Sequence, residues 1–342
     1  MTDTLLTISI LLLGIFTFSN GMHDASNTIA AAVKTRALTP GIAIRVTAGF
    51  ALIGALVGGF MLPYATLGFN RHWIALPSGN AGPIILISMF IAGILWNLLT
   101  LLLRMPSSSF HALVGGLIGA LWATTLVGQE SPKVDTKAVF FQIILPLILI
   151  PPISFVIALI ASMAFAWFLQ DAQQYSTNRK LRMTQSIATS AFALTHGIAT
   201  IQRLIFLGYL GFKSTGKSTV YDSLPITLVL LLAIIFGLGS LSGGWRITHT
   251  LSNNLVPLDP LKGTIAQSLP ALLYVIAAFM LFPVSSTHVF TNTLVGAGAV
   301  PRWKAVNTDI VLKMLGTWIL TPLFTGGVSA LLYLAFSNVL IS

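Results

Sequence analysis

The chain has 342 residues, of which only 8% are charged and 55% are apolar, and its mean hydropathy is +0.90. Ordinary soluble domains contain about 25% charged residues, so this composition excludes a soluble enzyme, a disordered chain and collagen. The net charge of +10 comes from basic residues scattered between apolar runs. They are therefore interpreted as loop charges of a polytopic membrane protein, with no nucleic-acid partner.

Ten apolar runs approach or exceed the length of about 20 residues that a membrane span needs. The runs are 4–19, 42–62, 82–103, 112–127, 138–169, 187–210, 224–242, 264–282, 286–300 and 306–341. Pro322 and Gly326-Gly327 could divide the last run, so we expect ten to twelve crossings. The first run has no preceding Lys or Arg and no cleavage site, which predicts a retained span and not a signal peptide.

Loop charges predict the orientation of the chain. Residues 1–33 contain no Lys or Arg, and Lys34, Arg36 and Arg45 follow the first run. Because positive charges collect on the cytoplasmic side, the N-terminus is expected outside and the basic loop 170–185 inside. We expect a multi-pass protein of the cell membrane, in a bacterium the inner (plasma) membrane.

Two separated motifs recur at nearly the same spacing. Residues 106–111 (PSSSFH) resemble 283–288 (PVSSTH) at an offset of 177, and 20–24 (NGMHD) have a fainter partner in 196–200 (HGIAT) at an offset of 176. Five predicted crossings separate the halves, so the second half would enter the membrane from the opposite side. Such inverted repeats, with broken helices or re-entrant hairpins around a central site, are typical of secondary transporters.

The repeat divides the chain into four expected parts. They are the first repeat 1–137, a connecting span with a short cytoplasmic loop 138–183, the second repeat 184–300, and one or more C-terminal spans in 301–342. The predicted fold class is an all-α polytopic membrane protein.

Asp24 has the most unusual position among the eight acids. It directly follows the first apolar run, with Asn20, His23 and Asn27 nearby. A carboxylate inside a membrane usually marks an ion or proton path, and hard cations prefer oxygen ligands. We expect Asp24, with these neighbours, to couple a cation or proton, and Asp24 with Asn27 to ligate Na⁺ if Na⁺ is used. An ordinary polar loop after a short span is the alternative.

The two hydroxyl-rich segments each follow a proline and precede a new apolar helix pattern. Free backbone N–H groups and the positive dipole end make a helix start an anion site, and Ser or Thr caps it well. Two such starts that converge would hold a tetrahedral oxyanion; simple helix capping is the alternative. The expected donors are Ser108, Ser109, Ser285, Ser286 and Thr287.

Three histidines and one arginine complete the candidate site. His111 and His288 each lie three residues after a hydroxyl, on the same helix face, and are either proton carriers or packing residues. His196 opens the fainter second-half motif. Arg203 lies in an apolar stretch, where it either balances an anion or extends to the membrane interface.

Two enzyme motifs match in letters but not in context. Residues 211–218 (GFKSTGKS) fit the Walker A pattern but lie between apolar spans, with no preceding strand. Residues 239–243 (GSLSG) fit a nucleophile elbow but have no suitably placed acid. We therefore expect a transporter without a cofactor and not an enzyme. A passive channel would need a continuous polar stripe, and the sequence has two clusters instead.

Residues 20–30 (NGMHDASNTIA), 35–40 (TRALTP), 244–246 (GWR) and 283–288 resemble the signature segments of the PiT family of inorganic phosphate transporters. The resemblance covers both halves. It implies a cation-coupled symporter of inverted repeats, with phosphate between them and Na⁺ or H⁺ sites alongside. A homo-oligomeric assembly is left open.

The second-half motif departs from the family pattern, which usually reads His-Gly-Ala-Asn-Asp-Gly-Gln. Here Ala199 and Thr200 replace the Asn and Asp, and Arg203 adds a positive charge nearby. The missing acid predicts a weaker cation site, and a more positive site would suit sulfate. The expected function is symport of inorganic phosphate with H⁺ or Na⁺, with a cation-coupled sulfate permease of the same family as the alternative.

Overall fold

The computed structural model describes residues 1–61, 74–129, 133–217, 225–280, 283–300 and 303–340, and these are almost entirely helical. The longer helices are α1 (Thr2–Lys34), α2 (Pro40–Phe60), α3 (Ala81–Leu102), α4 (Ser109–Leu126), α6 (Leu145–Phe168), α7 (Gln174–Ser214), α8 (Ile226–Ser242), α10 (Pro260–Met280), α11 (Ser286–Gly298) and α12 (Thr308–Leu340). The all-α prediction is confirmed.

Short elements connect these helices. Helices α5 (Thr136–Val139) and α9 (Trp245–His249) each continue into a π-helical turn, at Phe140–Ile144 and Thr250–Asn254. A 3-10 turn covers Trp303–Ala305. Strands β1 (Ile74–Ala75) and β2 (Lys133–Val134) form a small antiparallel pair, with Ile74 opposite Val134.

Within the described ranges, seven helices are long and apolar enough to cross a membrane, or eight if α8 and the segment after its 49° bend form one broken span. This is fewer than the ten to twelve crossings expected from the sequence, as counted over the described residues. Helix α11 has 13 residues and is about 20 Å long, which is short of the roughly 30 Å hydrocarbon core. Helix α12 continues through Pro322, so the last apolar run is not divided.

Two predicted boundaries were also wrong. The first helix does not end near residue 19 but continues to Lys34, and most of the predicted loop 170–185 belongs to α7, which begins at Gln174. In both places the chain is polar in sequence and yet helical. In α1 the reason is that the polar side chains have partners on other helices, as described below.

The polar residues in the middle of α1 and α7 lie between two clusters of buried apolar side chains. Helix α1 contributes Phe16 to one cluster and Ala30 to the other, and α7 contributes Ile201 and Phe192 in the same way. Helix α7 approaches α2 so closely that a Cβ at Gly197 would overlap the carbonyl of Ala51. Helix α7 also packs against α1, so the middle turns of the two helices, where the candidate residues lie, are next to each other.

Candidate functional site

The two hydroxyl-rich segments form two similar helix starts that meet. Ser108 and Ser285 are extended N-caps of α4 and α11, and their side chains accept hydrogen bonds from the backbone N–H of His111 at 3.2 Å and of His288 at 3.4 Å. The Oγ of Ser285 also donates to the Oγ of Ser108 at 2.9 Å. The two serines therefore cap their own helices and also bring the two helix starts into contact, so the two roles do not exclude each other.

Asp24 lies inside α1 and is 5% exposed, so the alternative of an ordinary polar loop after a short span was wrong. Its Oδ1 lies 3.3 Å from Nδ1 of His23, and its Oδ2 lies 3.2 Å from Nε2 of His196. The hydroxyl of Ser286 donates to the same Oδ2 at 3.1 Å. One carboxylate thus joins α1, α7 and the start of α11.

His196 lies between two positions that are 176 residues apart in sequence, Asp24 and Thr200. Its Nε2, which faces Asp24, also lies 3.3 Å from Oγ1 of Thr200. Thr200 is the residue at which the family pattern carries a second acid, and its offset from Asp24 is 176. The hydroxyl of Thr200 and the carboxylate of Asp24 therefore both contact the imidazole of His196.

Asn20 and Asn27 each have an amide oxygen that no described residue contacts by a hydrogen bond. The Nδ2 of Asn27 donates to Oγ1 of Thr287 at 3.0 Å and lies 3.5 Å from Oγ of Ser286. The Oδ1 atoms of Asn20 and Asn27 are buried, and neither has a hydrogen-bond partner among the described residues. Buried carbonyl oxygens of this kind can ligate hard cations.

His23 belongs to a network that the sequence analysis missed. Its Nε2 lies 3.2 Å from Oγ1 of Thr100 and 3.3 Å from Oγ of Ser107. The backbone carbonyl of Ser107 accepts a hydrogen bond from Thr287 at 2.8 Å. Asn97, one turn before Thr100, accepts one from Ser109 at 3.3 Å. The sequence signal for this network was the pair Asn97 and Thr100, two polar residues three positions apart within the apolar run 82–103.

A cavity of about 20 Å³ lies between these helices, with room for about one water molecule. Its lining consists of Asn20, Asp24, Ser108, Ser109, Phe110, Leu113, His196, Thr200, Arg203, Leu204, Ser285 and Ser286. Eight of the thirteen predicted site residues are in this lining. The other five are Asn27, Thr287, His23, His111 and His288; four of them contact a lining residue, and Thr287 accepts a hydrogen bond from Asn27.

Arg203 faces the cavity from α7. Its Nε donates to the carbonyl of Ala199 at 2.9 Å, and its guanidinium also donates to the carbonyl of Val284 at 3.3 Å. The guanidinium carbon lies 4.8 Å from the centre of the Phe110 ring. These contacts hold the side chain beside the start of α11, so it adds positive charge where the two helix N-termini meet.

His111 and His288 lie behind the capping serines and outside the cavity lining. Their ring centres are 4.4 Å apart, and the ring of His288 is 4.1 Å from that of Trp318 on α12. The Nδ1 of His111 lies 2.7 Å from Oγ of Ser108. The two histidines therefore contact the site through the capping serine Ser108 and do not line the cavity themselves.

The enzyme-like motifs lie in helical context. Gly211 to Ser214 form the last turn of α7, and Ser218 is outside the described residues. Gly239 to Ser242 end α8. Neither motif follows a strand, which both a phosphate-binding loop and a nucleophile elbow require.

Known proteins resemble this chain over nearly its whole length. A bacterial protein from Rhizobium meliloti (strain 1021) named "Probable low-affinity inorganic phosphate transporter" is 32% identical over 324 residues, which are 94% of this chain and 93% of that protein. A protein of the same name from Bacillus subtilis (strain 168) is 30% identical, with 96% of each chain covered.

A solved structure of a sodium-dependent phosphate transporter has the same fold, with a TM-score of 0.75 over 98% of this chain and 100% of that chain, at 20% identity. The family model described as "Phosphate transporter family" matches residues 20–329. The relatives and the family model thus agree with the resemblance seen in the signature segments, and the chain belongs to the phosphate transporter family.

Proposed function

We propose that the chain carries inorganic phosphate across the cell membrane by symport with a cation, either Na⁺ or H⁺. Family membership makes it a multi-pass membrane transporter and not an enzyme, and its bacterial relatives point to the plasma membrane. The substrate is proposed from the names of those relatives together with the chemistry of the cavity.

The observation that carries the proposal is the meeting of Ser108 and Ser285 at 2.9 Å beside Arg203. Two helix N-termini and a guanidinium direct positive potential into one small space, which suits an anion with several oxygens. The present cavity is too small for phosphate. We infer that phosphate separates the two caps and replaces their mutual hydrogen bond with bonds to its own oxygens.

Asp24 would supply the coupling. Its carboxylate lines the same cavity, so an anion beside it is disfavoured while Asp24 is ionised and unpaired. A proton on the site or a cation next to it removes this repulsion. Each ligand then favours the other, and this mutual coupling of the two binding free energies is what symport requires.

The cation has two candidate forms. Na⁺ would be ligated by Asp24 with the amide oxygens of Asn20 and Asn27, which have no hydrogen-bond partner among the described residues. A proton would be held between Asp24 and the imidazoles of His23 and His196, which lie 3.3 Å and 3.2 Å away. Thr200 in place of a second acid favours a site with fewer ionised ligands than the family pattern provides.

Sulfate is the second candidate substrate, because Arg203 and the loss of one acid make the cavity more positive than the family pattern. Fully ionised sulfate needs donors only, whereas phosphate near neutrality also carries O–H groups that need an acceptor. Asp24 lines the cavity and is such an acceptor. This favours phosphate.

The repeat supplies a mechanism for access. Segments 1–137 and 184–300 are proposed as inverted repeats whose helix starts meet at the substrate, with 138–183 connecting them and one or more C-terminal spans in 301–342. Helices α4 and α11 begin 177 residues apart, at Ser109 and Ser286, in the same capped conformation. Rocking of one repeat against the other would open the site to either side.

Uptake by proteoliposomes tests the proposal. The purified chain is reconstituted, and accumulation of radiolabelled phosphate and sulfate is measured under an imposed Na⁺ gradient or an imposed pH gradient. We expect phosphate to accumulate above equilibrium with one of the two gradients. Accumulation of sulfate alone, or mere equilibration of phosphate, would overturn the proposal.

A further inference from the structure

A basic cleft lies away from the transport site, at the beginning of α7. The cleft is lined on α7 by Tyr175 and, three, four, seven, eight and eleven residues after it, by Asn178, Arg179, Arg182, Met183 and Ser186, which together form one helix face. Arg36 and Ala37, in the junction between α1 and α2, form the opposite wall. The volume is about 350 Å³.

The charge of this cleft is not balanced within the described part of the chain. Three arginines line it, at positions 36, 179 and 182, and no acid does. None of their guanidinium groups has an ion pair or a hydrogen bond with a described residue. Three like charges around one space repel each other, and an anion between them relieves that repulsion.

The walls of the cleft are tied together. Oγ1 of Thr35 donates to Oε1 of Gln185 at 2.7 Å, and Oγ of Ser186 donates to the carbonyl of Ala37 at 3.3 Å. Arg36 has φ of +60°, a left-handed conformation that residues other than glycine adopt uncommonly. The junction therefore holds Arg36 opposite the arginines of α7 by specific contacts and in an unfavourable backbone conformation.

Exposed aromatic residues place the cleft at the membrane surface. Trp167 and Phe168 end α6 and are 72% and 76% exposed, and Tyr175 in the cleft is 80% exposed. Met183 and Ile187, further along α7, are exposed and apolar. Trp and Tyr collect at the level of lipid headgroups, so the arginines lie where α7 enters the lipid. The charge distribution puts this end on the cytoplasmic side, where anionic lipids attract basic segments.

We propose that this cleft binds a phosphate-bearing anion. Guanidinium groups bind phosphate oxygens in pairs, and three of them around an open cleft match the three or four oxygens of a phosphate. The position of the cleft favours the headgroup of an anionic phospholipid as the source, and free inorganic phosphate is the other source with the same chemistry. The inference does not depend on what the chain transports.

Lipid binding to the purified chain tests this site. The variant R179Q/R182Q is compared with R45Q/K180Q, which removes the same charge from exposed residues outside the cleft. Native mass spectrometry measures retention of phosphatidylglycerol against phosphatidylcholine. We expect wild type and R45Q/K180Q to prefer phosphatidylglycerol, and R179Q/R182Q to bind it roughly 25-fold more weakly, about fivefold for each arginine. R36Q, from the opposite wall, should weaken it in the same direction.

A second arm measures equilibrium binding of radiolabelled inorganic phosphate to the same proteins. A bound phosphate that is lost in R179Q/R182Q and kept in R45Q/K180Q would identify free phosphate as the ligand. Phosphate bound at the transport site would remain in both variants, so failure of the proposed transport function is read separately. If both variants bind phosphatidylglycerol and phosphate as wild type does, the cleft is not a phosphate site and the proposal is wrong. Thermal unfolding of each variant checks that it is folded.

Discussion

Ser285 donates a hydrogen bond of 2.9 Å to Ser108, a residue 177 positions earlier in the chain and in the same capping position of its own helix. The offset that relates the two motifs in sequence thus also relates two side chains in contact. Two helix starts that touch through their caps form one binding surface from two distant segments. Four predictions test the roles proposed for the residues around this contact.

Asp24→Asn should abolish concentrative phosphate uptake while the protein still reaches the membrane. The amide keeps the shape of the side chain but cannot carry a proton or neutralise Na⁺, so the two ligands no longer favour each other. We expect at least a tenfold loss of gradient-driven uptake, equivalent to about 1.4 kcal/mol of coupling. Asp259→Asn, at an exposed acid paired with Lys262, is the matched control. Normal accumulation by Asp24→Asn would remove the coupling role.

Ser108→Ala combined with Ser286→Ala should weaken phosphate binding more than either change alone. A hydrogen bond to a charged group contributes about 1.5–3 kcal/mol, so each loss corresponds to roughly 10-fold to 100-fold in affinity. The half-saturating phosphate concentration for uptake measures this. Ser154→Ala with Ser242→Ala removes two hydroxyls bonded to their own helices and should leave it unchanged. Wild-type affinity in the first double variant would mean that these hydroxyls only cap their helices.

Thr200→Asp should increase the dependence of uptake on Na⁺. Thr200 lines the cavity and lies 3.3 Å from His196, so a carboxylate here adds a second charged oxygen ligand near Asp24. We expect the half-saturating Na⁺ concentration to fall by roughly tenfold, as for a gain of about 1.4 kcal/mol. Thr200→Asn, which has the same size without the charge, is the control. Equal Na⁺ dependence in wild type and both variants would contradict the interpretation of this position.

Arg203→Gln should raise the half-saturating phosphate concentration by roughly tenfold or more, because it removes one charge-assisted partner of the anion. Arg203→Lys keeps the charge but not the planar group that lies over Phe110, so it should restore only part of the affinity. Initial uptake rates over a range of phosphate concentrations separate binding from turnover. If Arg203→Gln binds phosphate as well as wild type does, the side chain serves packing alone.

The sequence predicted the kind of fold and most of the residues that the structure brings together in the candidate site, and it failed where distant partners decide the outcome. Motif spacing paired segments 106–111 and 283–288 before any geometry was known. In contrast, the residues around Asp24 do not indicate that the helix continues through this position. The hydroxyl that binds Asp24 comes from Ser286, 262 positions away. Thr100 reaches the candidate site through its contact with His23, and this contact exists because α3 packs against α1. Apolar length alone predicted more crossings than the seven or eight candidate spans among the described residues, because it does not show that α11 has only 13 residues.

The small cavity between the paired caps has a consequence for the return of an unloaded carrier. In the proposed symport cycle, an empty carrier would close on this contact, with Ser108 and Ser285 hydrogen-bonded to each other and room for about one water molecule between them. Such a carrier would close with both serine hydroxyls hydrogen-bonded, so it could return to the other side of the membrane and begin the proposed transport cycle again. A carrier loaded with the anion alone would instead close on an uncompensated repulsion from Asp24. That imbalance between the empty and the half-loaded forms would prevent slippage of cargo without its driving ion.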